Sequence, residues 1–528
     1  MRSLTHRITA VVLALAALAA TAGGALAQEP PPTWQACPPP ASGPPTPNQE
    51  CAAVRVPLDY ATPKADTIEV AISRLRTAKP ELRRGVLLLN PGGPGGAGLD
   101  LPGLFARLLP AGVLDRYDLV GFDPRGVGRS SPITCDLSAA QQDGSRLLPW
   151  PAPGGFSENA AFAYGIAQAC AGARTAALLP FITTANTARD MDRVRAALGE
   201  ERISYLGYSY GSYLGTVYTS LFPDRSDRFV LDSNVSPRRV WREMFRTWGP
   251  AIETRFPDFA RFAAERNHIY RLGASSADVR RLYFELGARL DRSPLTLPDG
   301  TVVTGNLFRE VTRQLLYSNA ALPDLAELWQ LLNTNVPTAR ERVSVLLATL
   351  FPDVPGDNAT AALLGVVCDD AQWPEDPERY RLDSLEDGSR FPLAGAMAAG
   401  IWPCAYWPFE PREAPVTPND RGPRNVLLVQ GLRDPATPYE GALELRAALP
   451  DRSRLVTADV GGHAVSYGIL GNVNSCADAE VTAFLLEGAL RDRSCSSDPP
   501  ARTFATAPAD RRPAIEELGR RMRQLSVP

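Results

Sequence analysis

The sequence predicts an α/β fold with a mostly parallel, doubly wound sheet and a large helical insertion. Two observations lead to this prediction. Short apolar runs alternate with helical patterns along most of the chain, which is typical of β-α-β units. From about residue 237 to residue 415 the helical patterns continue but no clear strand occurs. We therefore expect this segment, here called the cap, to be inserted between two strands of the sheet, and a chain of 528 residues is long enough for that organisation.

The predicted strands are short and differ in polarity. Thr67–Leu75 alternates apolar and polar residues, as in a half-buried strand. The apolar run at residues 85–89 does not alternate, which indicates a strand buried on both faces. The same pattern recurs at residues 117–122, 203–206, 229–231, 426–429 and 455–457. Between strands, residues 187–198 form a predicted amphipathic helix that ends at Gly199.

Aromatic residues recur at roughly helical spacing in the cap, and packing is their expected role: Trp241, Phe245, Trp248, Phe256, Phe259, Phe262 and Tyr270.

The whole chain divides into six predicted segments. They are a signal peptide (1–27), a Pro-rich lead-in (28–55), the first part of the core (56–236), the cap (237–415), the second part of the core (416–500) and a tail (501–528) with one predicted helix near residues 514–525.

The N-terminus has the features of an export signal. Arg2 and Arg7 precede an apolar run at residues 11–20, and Ala25-Leu26-Ala27 is a small-x-small cleavage site, so the mature chain is expected to begin near Gln28. An uncleaved membrane anchor is the alternative, but the apolar run is too short to span a bilayer. No later segment is long and apolar enough to do so. The sequence therefore predicts a secreted protein, extracellular or periplasmic.

The eight cysteines all follow the predicted cleavage site, and an even number of cysteines in an exported protein indicates disulfides. Metal binding is disfavoured because there is no Cys-x-x-Cys pair and there are only three histidines. Many pairings are possible in principle. Pairing of nearest neighbours is expected: Cys37 with Cys51, Cys135 with Cys170, Cys368 with Cys404, and Cys476 with Cys495.

A Gly-x-Ser-x-Gly pattern carries the main chemical signal. Gly207-Tyr208-Ser209-Tyr210-Gly211 follows a predicted strand and precedes a helix-like run at residues 212–221. In that setting the pattern is a nucleophile elbow, a tight turn that exposes the serine hydroxyl at the end of the sheet of an α/β hydrolase. A second strand-end loop begins with Asp123-Pro124-Arg125, and we expect Asp123 and Arg125 to brace the nucleophile region.

A serine nucleophile needs a base, and the candidates are few. Among the three histidines, His6 belongs to the predicted signal peptide and His268 to a cap helix, which leaves His463 after a strand and a Gly-Gly turn. The acid should follow a strand and lie between nucleophile and base in the chain. Asp434 and Asp232 both fit, and Asp434 is favoured because its Gly- and Pro-bounded turn can direct it at the histidine.

A glycine-rich segment, residues 90–98, completes the predicted site. One oxyanion-hole donor in this fold comes from the loop after an early strand and the other from the residue after the nucleophile, so Gly92, then Gly93, and Tyr210 are the candidates. A phosphate-binding loop is disfavoured because no Gly-Lys-Ser/Thr follows. The formal net charge of −3 argues against nucleic-acid binding, and no metal or cofactor is predicted.

Taken together, these motifs resemble the secreted bacterial tripeptidyl aminopeptidases of the α/β-hydrolase fold, which are related to prolyl iminopeptidases. The resemblance covers roughly residues 34–495. It rests on the elbow, the late cysteines and four further segments: Gly92-Gly93-Pro94-Gly95, Cys404-Ala405-Tyr406-Trp407-Pro408, Asp434-Pro435-Ala436-Thr437-Pro438 and Gly461-Gly462-His463. Pro91 stands where prolyl iminopeptidases commonly have histidine, which favours the tripeptidyl branch. The resemblance implies release of short peptides from free N-termini without a cofactor.

Three functions are compatible with these motifs. The first is an exopeptidase acting on peptides, and the second is a carboxylesterase with the same triad, because some relatives are esterases. The third is a non-catalytic binding protein, which the intact Ser, His and Asp set disfavours. An exopeptidase must pair the substrate ammonium group with a carboxylate. Asp369 and Asp370 in the cap are the candidates because they adjoin Cys368, and a solvated loop is the alternative role.

Overall fold

A ten-stranded sheet forms the centre of the molecule. The computed structural model describes residues 31–40, 45–150, 155–334, 336–351, 356–498 and 516–517. The predicted signal peptide (1–27) and the predicted helix near residues 514–525, apart from residues 516–517, lie outside these ranges. Within them, no helix combines the length and the apolar character that a membrane span requires.

The strands in chain order are β1 (Gln35–Ala36), β2 (Glu50–Pro57), β3 (Thr67–Leu75), β4 (Gly85–Asn90), β5 (Tyr117–Phe122), β6 (Ile203–Tyr208), β7 (Ser226–Asp232), β8 (Leu295–Thr296), β9 (Val302–Val303), β10 (Val426–Arg433), β11 (Ser453–Gly461) and β12 (Arg493–Cys495). The sheet has the order β1-β2-β3-β5-β4-β6-β7-β10-β11-β12. Strands β1, β2 and β3 pair antiparallel with their neighbours, and the remaining pairs are parallel. β8 and β9 form a separate hairpin in the cap.

The parallel strands have the burial that their composition predicted. β4 and β6 are buried along their whole length, because strands at the centre of a parallel sheet are covered on both faces. Because β6, β7 and β10 pair in parallel, their carboxyl ends lie at one edge of the sheet. Ligands bind at this edge in open α/β sheets. This placement brings together segments that are far apart in the sequence.

The sheet begins earlier in the chain than the composition predicted. The Pro-rich lead-in was assigned to residues 28–55, but β1 and most of β2 lie inside it. In β2 the residues Val54 and Val56 are buried while Arg55 is exposed, so the strand has the alternation of a half-buried strand. The proline-rich composition of the preceding residues concealed this short pattern.

The helices that precede the cap are α1 (Leu101–Phe105), α2 (Ala111–Leu114), α3 (Gly144–Leu147), α4 (Phe156–Gly172), α5 (Thr184–Ala197) and α6 (Tyr210–Leu221). The cap contains α7 (Arg242–Arg246), α8 (Trp248–Glu265), α9 (Asn267–Tyr270), α10 (Ser276–Arg292), α11 (Gly305–Leu315), α12 (Leu322–Thr334), α13 (Pro337–Leu350), α14 (Asn358–Asp369), α15 (Pro377–Arg390) and α16 (Gly395–Ala398). The chain then returns to the sheet, with α17 (Tyr439–Ala448) and α18 (Ser475–Glu487).

Aromatic packing holds the cap together. The rings of Phe245 and Trp402 stack with centroids 4.3 Å apart, and Phe259 meets Trp329 edge-on at 4.9 Å. Of the seven aromatic residues predicted to pack, all are buried except Phe262 and Tyr270, which are half-buried. Contacts of this kind stabilise a helical assembly that has little regular sheet structure of its own.

Four disulfides connect neighbouring cysteines in the sequence: Cys37–Cys51, Cys135–Cys170, Cys368–Cys404 and Cys476–Cys495. The first joins the segment after β1 to β2, and the last joins α18 to β12. The Cys368–Cys404 bond lies within the cap and connects α14 to a later turn. Each bond closes a short loop, so each restrains a local part of the fold.

Candidate active site

The nucleophile candidate lies in a sharp turn between β6 and α6. Ser209 has φ 57° and ψ −124°, a strained conformation for a residue with a side chain. The glycines around it are required for space. A Cβ on Gly207 would overlap the Tyr205 ring, and a Cβ on Gly211 would lie 2.6 Å from Asn90 Oδ1. The structure thus explains why the Gly-x-Ser-x-Gly spacing occurs at this turn.

The predicted base and acid are in contact. His463 Nδ1 lies 2.9 Å from Asp434 Oδ2 and 3.0 Å from Asp434 Oδ1. The carboxylate also accepts the backbone N–H groups of Ala436, at 2.8 Å, and Thr437, at 2.9 Å. The Thr437 hydroxyl adds a third bond at 3.1 Å. Because Nδ1 donates to this fixed carboxylate, the Nε2 lone pair of His463 is available to accept a proton.

Asp232, the alternative acid, has a different set of partners. Its carboxylate accepts the N–H groups of Val465, at 3.1 Å, and Ser466, at 2.6 Å, in the loop that follows His463. Its backbone carbonyl accepts the N–H of Ser209 at 2.9 Å. Burial raises the pKa of the Asp232 carboxyl. Asp232 therefore tethers the histidine loop to the nucleophile elbow.

The glycine-rich loop lies directly against Ser209. Gly92 has φ +100°, and a Cβ there would lie 2.5 Å from Tyr208 O and 2.9 Å from Ser209 Cβ. Only glycine allows this approach. The loop is closed at its far end by Asp123, whose carboxylate accepts the N–H groups of Gly98 and Leu99 at 2.8 and 3.1 Å.

The order of the two glycine donors changes in the structure. The N–H of Gly92 donates to Asn90 Oδ1 at 3.0 Å, so this amide already has an acceptor. Among the described residues, none accepts a hydrogen bond from the N–H of Gly93 or of Tyr210. Gly93 therefore replaces Gly92 as the favoured partner of Tyr210 in an oxyanion hole.

Arg125 braces α5 and not the nucleophile. Its guanidinium forms two hydrogen bonds with the buried carboxylate of Asp190, at 2.6 and 2.7 Å. It also donates to the carbonyls of Pro57, Leu58 and Phe181. This buried pair joins the end of β2 to α5.

Asp370 does not present a free carboxylate. Its oxygens accept the backbone N–H of Thr184 at 2.7 Å, the Thr184 hydroxyl at 2.5 Å and Trp241 Nε1 at 3.0 Å. Thr184 Oγ1 in turn lies 3.0 Å from the Tyr210 hydroxyl. Burial raises the pKa of Asp370 to about 6. Asp370 thus caps α5 and supports Tyr210 through Thr184.

Asp369 also faces the protein interior. Its Oδ1 accepts Trp407 Nε1 at 2.9 Å, and its Oδ2 is buried without a hydrogen-bond partner among the described residues. Burial raises the pKa of this carboxyl well above its usual range, which favours the neutral form. Both aspartates line a cavity of about 10 Å³, which has room for about one water molecule. The structure therefore favours a structural role for this pair over recognition of a substrate ammonium group.

Asp370→Asn should destabilise the protein and reduce peptide and ester hydrolysis in parallel. The NH2 group of asparagine would replace Oδ2 and cannot accept the hydrogen bond of Trp241 Nε1, so we expect a loss of about 1–3 kcal/mol in the free energy of unfolding at pH 5. Chemical denaturation measures it, with the exposed Asp451→Asn as the control. A raised KM for free peptides with unchanged stability and unchanged ester hydrolysis would restore the substrate-binding role.

The same variant should alter the pH dependence of stability. The pKa of Asp370 in the folded protein, about 6, lies above the ordinary 3.8. Between these values the folded chain holds a proton that the unfolded chain releases, so the stability from this group is lost as the pH rises from about 4 to about 6. The deficit of Asp370→Asn relative to the unmodified protein should accordingly be larger at pH 4 than at pH 7.

Two residues that support the histidine were not predicted. The N–H of His463 donates to Tyr317 O in the cap at 2.8 Å, and the two rings lie 5.2 Å apart. Asn472 Nδ2 donates to the carbonyls of His463 and Tyr317, at 2.6 and 2.8 Å. The sequence offers one signal for Asn472, which is the glycine at position 462. Gly462 has φ +104°, and a Cβ there would lie 2.4 Å from Asn472 Oδ1. Nothing in the sequence marks Tyr317.

Comparison with known proteins identifies relatives of this chain. The family model of the alpha/beta hydrolase fold matches residues 85–467. Tripeptidyl aminopeptidase of Streptomyces lividans is 35% identical over 463 residues, which are 85% of this chain and 83% of that protein. Serine protease Hip1 of Mycobacterium tuberculosis is 31% identical over 463 residues, 83% of this chain and 85% of that protein. Carboxylesterase B of M. tuberculosis is 30% identical over 469 residues, 85% of this chain and 86% of that protein. This chain therefore belongs to the α/β-hydrolase fold family and, within it, to the serine peptidases related to tripeptidyl aminopeptidase.

Proposed function

We propose that this protein is a secreted serine exopeptidase that releases short peptides, and tripeptides in particular, from free N-termini. The proposal rests chiefly on one arrangement. The buried imidazole of His463 contacts the carboxylate of Asp434, and the histidine loop is tethered through Asp232 to the elbow that carries Ser209. These are the parts that a serine hydrolase needs.

In the proposed mechanism, the Ser209 hydroxyl attacks the carbonyl carbon of the scissile bond while His463 accepts its proton. Asp434 holds Nδ1 of the imidazole and stabilises the imidazolium that forms. The N–H groups of Gly93 and Tyr210 bind the oxyanion of the tetrahedral intermediate. The imidazolium then protonates the leaving amine, and an acyl-enzyme remains. Water activated by His463 hydrolyses this ester and releases the short peptide.

The relatives support a peptide substrate over an ester. Tripeptidyl aminopeptidase and serine protease Hip1 are 35% and 31% identical to this chain, and carboxylesterase B is 30% identical. Amide and ester hydrolysis share the acyl-enzyme, so the triad alone does not distinguish them. Carboxylesterase activity is the alternative, and the substrate panel below tests it.

Secretion is supported by the cysteines. All eight are joined in disulfides, and such bonds form and persist in oxidising compartments. The predicted signal peptide, residues 1–27, accounts for export to such a compartment. N-terminal sequencing of the protein recovered from the culture medium or periplasm tests this part of the proposal. A mature chain that begins near Gln28 is the expected result, and an intact Met1 in the cytosol would contradict it.

Acetylation of the substrate N-terminus should reduce kcat/KM by on the order of 10²-fold. The reason is that an exopeptidase binds the substrate ammonium group in a partly closed site, and loss of a buried charge pair costs several kcal/mol. The measurement is a panel of p-nitroanilides with one to four residues, free and N-acetylated, beside short-chain p-nitrophenyl esters. Free tripeptides should be the best substrates. Equal cleavage of blocked and free peptides would indicate an endopeptidase, and hydrolysis of esters alone would indicate a carboxylesterase.

A further inference from the structure

The cap contains an ion pair that is almost completely shielded from solvent. Arg313 Nε donates to Glu310 Oε2 at 2.8 Å, and Arg313 Nη2 donates to Glu310 Oε1 at 2.5 Å. Only 2% and 4% of the two side chains are exposed. Burying two charges is costly, and a hydrophobic pair of similar size is often as stable.

One end of the pair reaches the proposed base. Arg313 Nη1 donates to the Tyr317 hydroxyl at 2.7 Å. The ring of Tyr317 lies 5.2 Å from the His463 ring, and its backbone carbonyl accepts the His463 N–H at 2.8 Å. Tyr317 thus touches both the guanidinium and the imidazole. Any displacement of Arg313 would be transmitted to His463 through a single side chain.

The same guanidinium also contacts the support of the acid. Arg313 Cζ lies 5.0 Å from the ring of Trp248, and Trp248 Nε1 donates to Ala436 O at 2.8 Å. The N–H of Ala436 is one of the groups that hold Asp434. The base and the turn that carries the acid are consequently both in contact with cap residues that pack on Arg313.

We propose that the Glu310–Arg313 pair is a positioning element that holds His463 through Tyr317, with Glu310 balancing the Arg313 charge that contacts the Tyr317 hydroxyl. This inference rests on the proposed function of His463 as the base. It assigns to the cap a second task besides covering the site: the cap completes the catalytic geometry. Neither residue touches the substrate in this scheme, so both are positioning residues.

The other charged or titratable groups around His463 stay the same in the test. They are Tyr317 against the imidazole, Asp434 in its turn, Asp232 at the end of β7, Arg255 with Asp258 on α8, and Arg433 on β10, which pairs with Asp258 and Asp459. Only the charge of the Glu310–Arg313 pair is varied. A difference between variants therefore reports this pair.

The experiment measures how fast a fluorophosphonate labels Ser209 as a function of pH. This rate needs a neutral His463, so the acid limb of the profile reports protonation of the base. Glu310→Gln leaves the Arg313 charge unbalanced and disfavours a second positive charge nearby, so the midpoint of the labelling profile should move to lower pH. The double variant Glu310→Gln and Arg313→Met removes both charges, and its midpoint should return to the original value. Its labelling rate should still fall by on the order of tenfold, because Tyr317 loses its partner.

A matched control is available at Arg309, a second arginine of α11, whose carboxylate partner Asp291 lies on α10. Asp291→Asn deprives Arg309 of its carboxylate partner one turn before Arg313, at a more exposed position. The labelling rate of Asp291→Asn and the midpoint of its pH profile should both equal those of the unmodified protein. If the buried pair has a purely structural role, the double variant should label at least as slowly as Glu310→Gln. The midpoint of its pH profile should then not return to the value of the unmodified protein.

One further variant, Tyr317→Phe, keeps the test decisive if Glu310→Gln does not fold. Tyr317→Phe removes the bond to Arg313 and leaves the ion pair, and its labelling rate should fall about threefold to tenfold. If this variant and the double variant both label at the original rate with the original midpoint, the positioning inference is overturned. Absence of labelling in the unmodified protein, with Ser209→Ala as the blank, would instead overturn the proposed function.

Discussion

Ser209→Ala should abolish turnover of peptides and esters, with a loss of about 10⁵-fold or more. The backbone of Ser209 holds the elbow in place, through its N–H to Asp232 O and its carbonyl to the N–H and hydroxyl of Ser212. Alanine keeps these bonds and removes only the reactive oxygen. The variant should therefore fold, and its free energy of unfolding should differ little from that of the unmodified protein.

Fluorophosphonate labelling distinguishes the roles of the serines in this region. The probe reacts with an activated serine, so it should label the unmodified protein and not Ser209→Ala. Ser212→Ala is an instructive comparison, because the Ser212 hydroxyl bonds to backbone groups and is fully buried. It should lose stability and retain labelling. Undiminished labelling of Ser209→Ala would remove Ser209 from the mechanism.

Asp434→Asn and His463→Ala should each lower kcat by on the order of 10⁴-fold or more. The amide that replaces the carboxylate favours the wrong tautomer of the imidazole, and alanine removes the base altogether. Asp434 and His463 are both buried and are hydrogen-bonded to each other. The two losses in kcat should therefore not be additive when the variants are combined. Steady-state kinetics on the best substrate of the panel measures these effects.

Asp232→Asn provides the matched control for the acid. Its carboxylate bonds to the N–H groups of Val465 and Ser466 and not to the imidazole. The carboxylate also accepts the Ser233 hydroxyl at 3.0 Å. An amide has one acceptor oxygen for these three donors, so the variant should lose about 1–3 kcal/mol of stability. Its kcat should be much less affected than that of Asp434→Asn. The assignment of the acid is wrong if Asp232→Asn is the more damaging change in folded protein.

Much of the fold and of the site could be predicted because the signals are local. Apolar runs of strand length, such as residues 85–89 and 426–429, report burial on both faces directly. The elbow at Ser209 needs small neighbours within two residues on either side, so its pattern is contiguous. His463 was predicted because the chain has only three histidines. β1 and β2 escaped prediction because their short alternation lies in and beside a proline-rich segment.

The sequence by itself determined the class of fold and the three candidates for nucleophile, base and acid, since each depends on neighbouring residues and on order along the chain. Only the tertiary structure decided what Asp232 and Asp370 do, because their partners lie far away in the sequence. Asp232 meets Val465 across 233 positions, and Asp370 meets Thr184 across 186. A buried carboxylate acts through the donors that the fold places around it, and their identity follows from packing and not from the residues beside it.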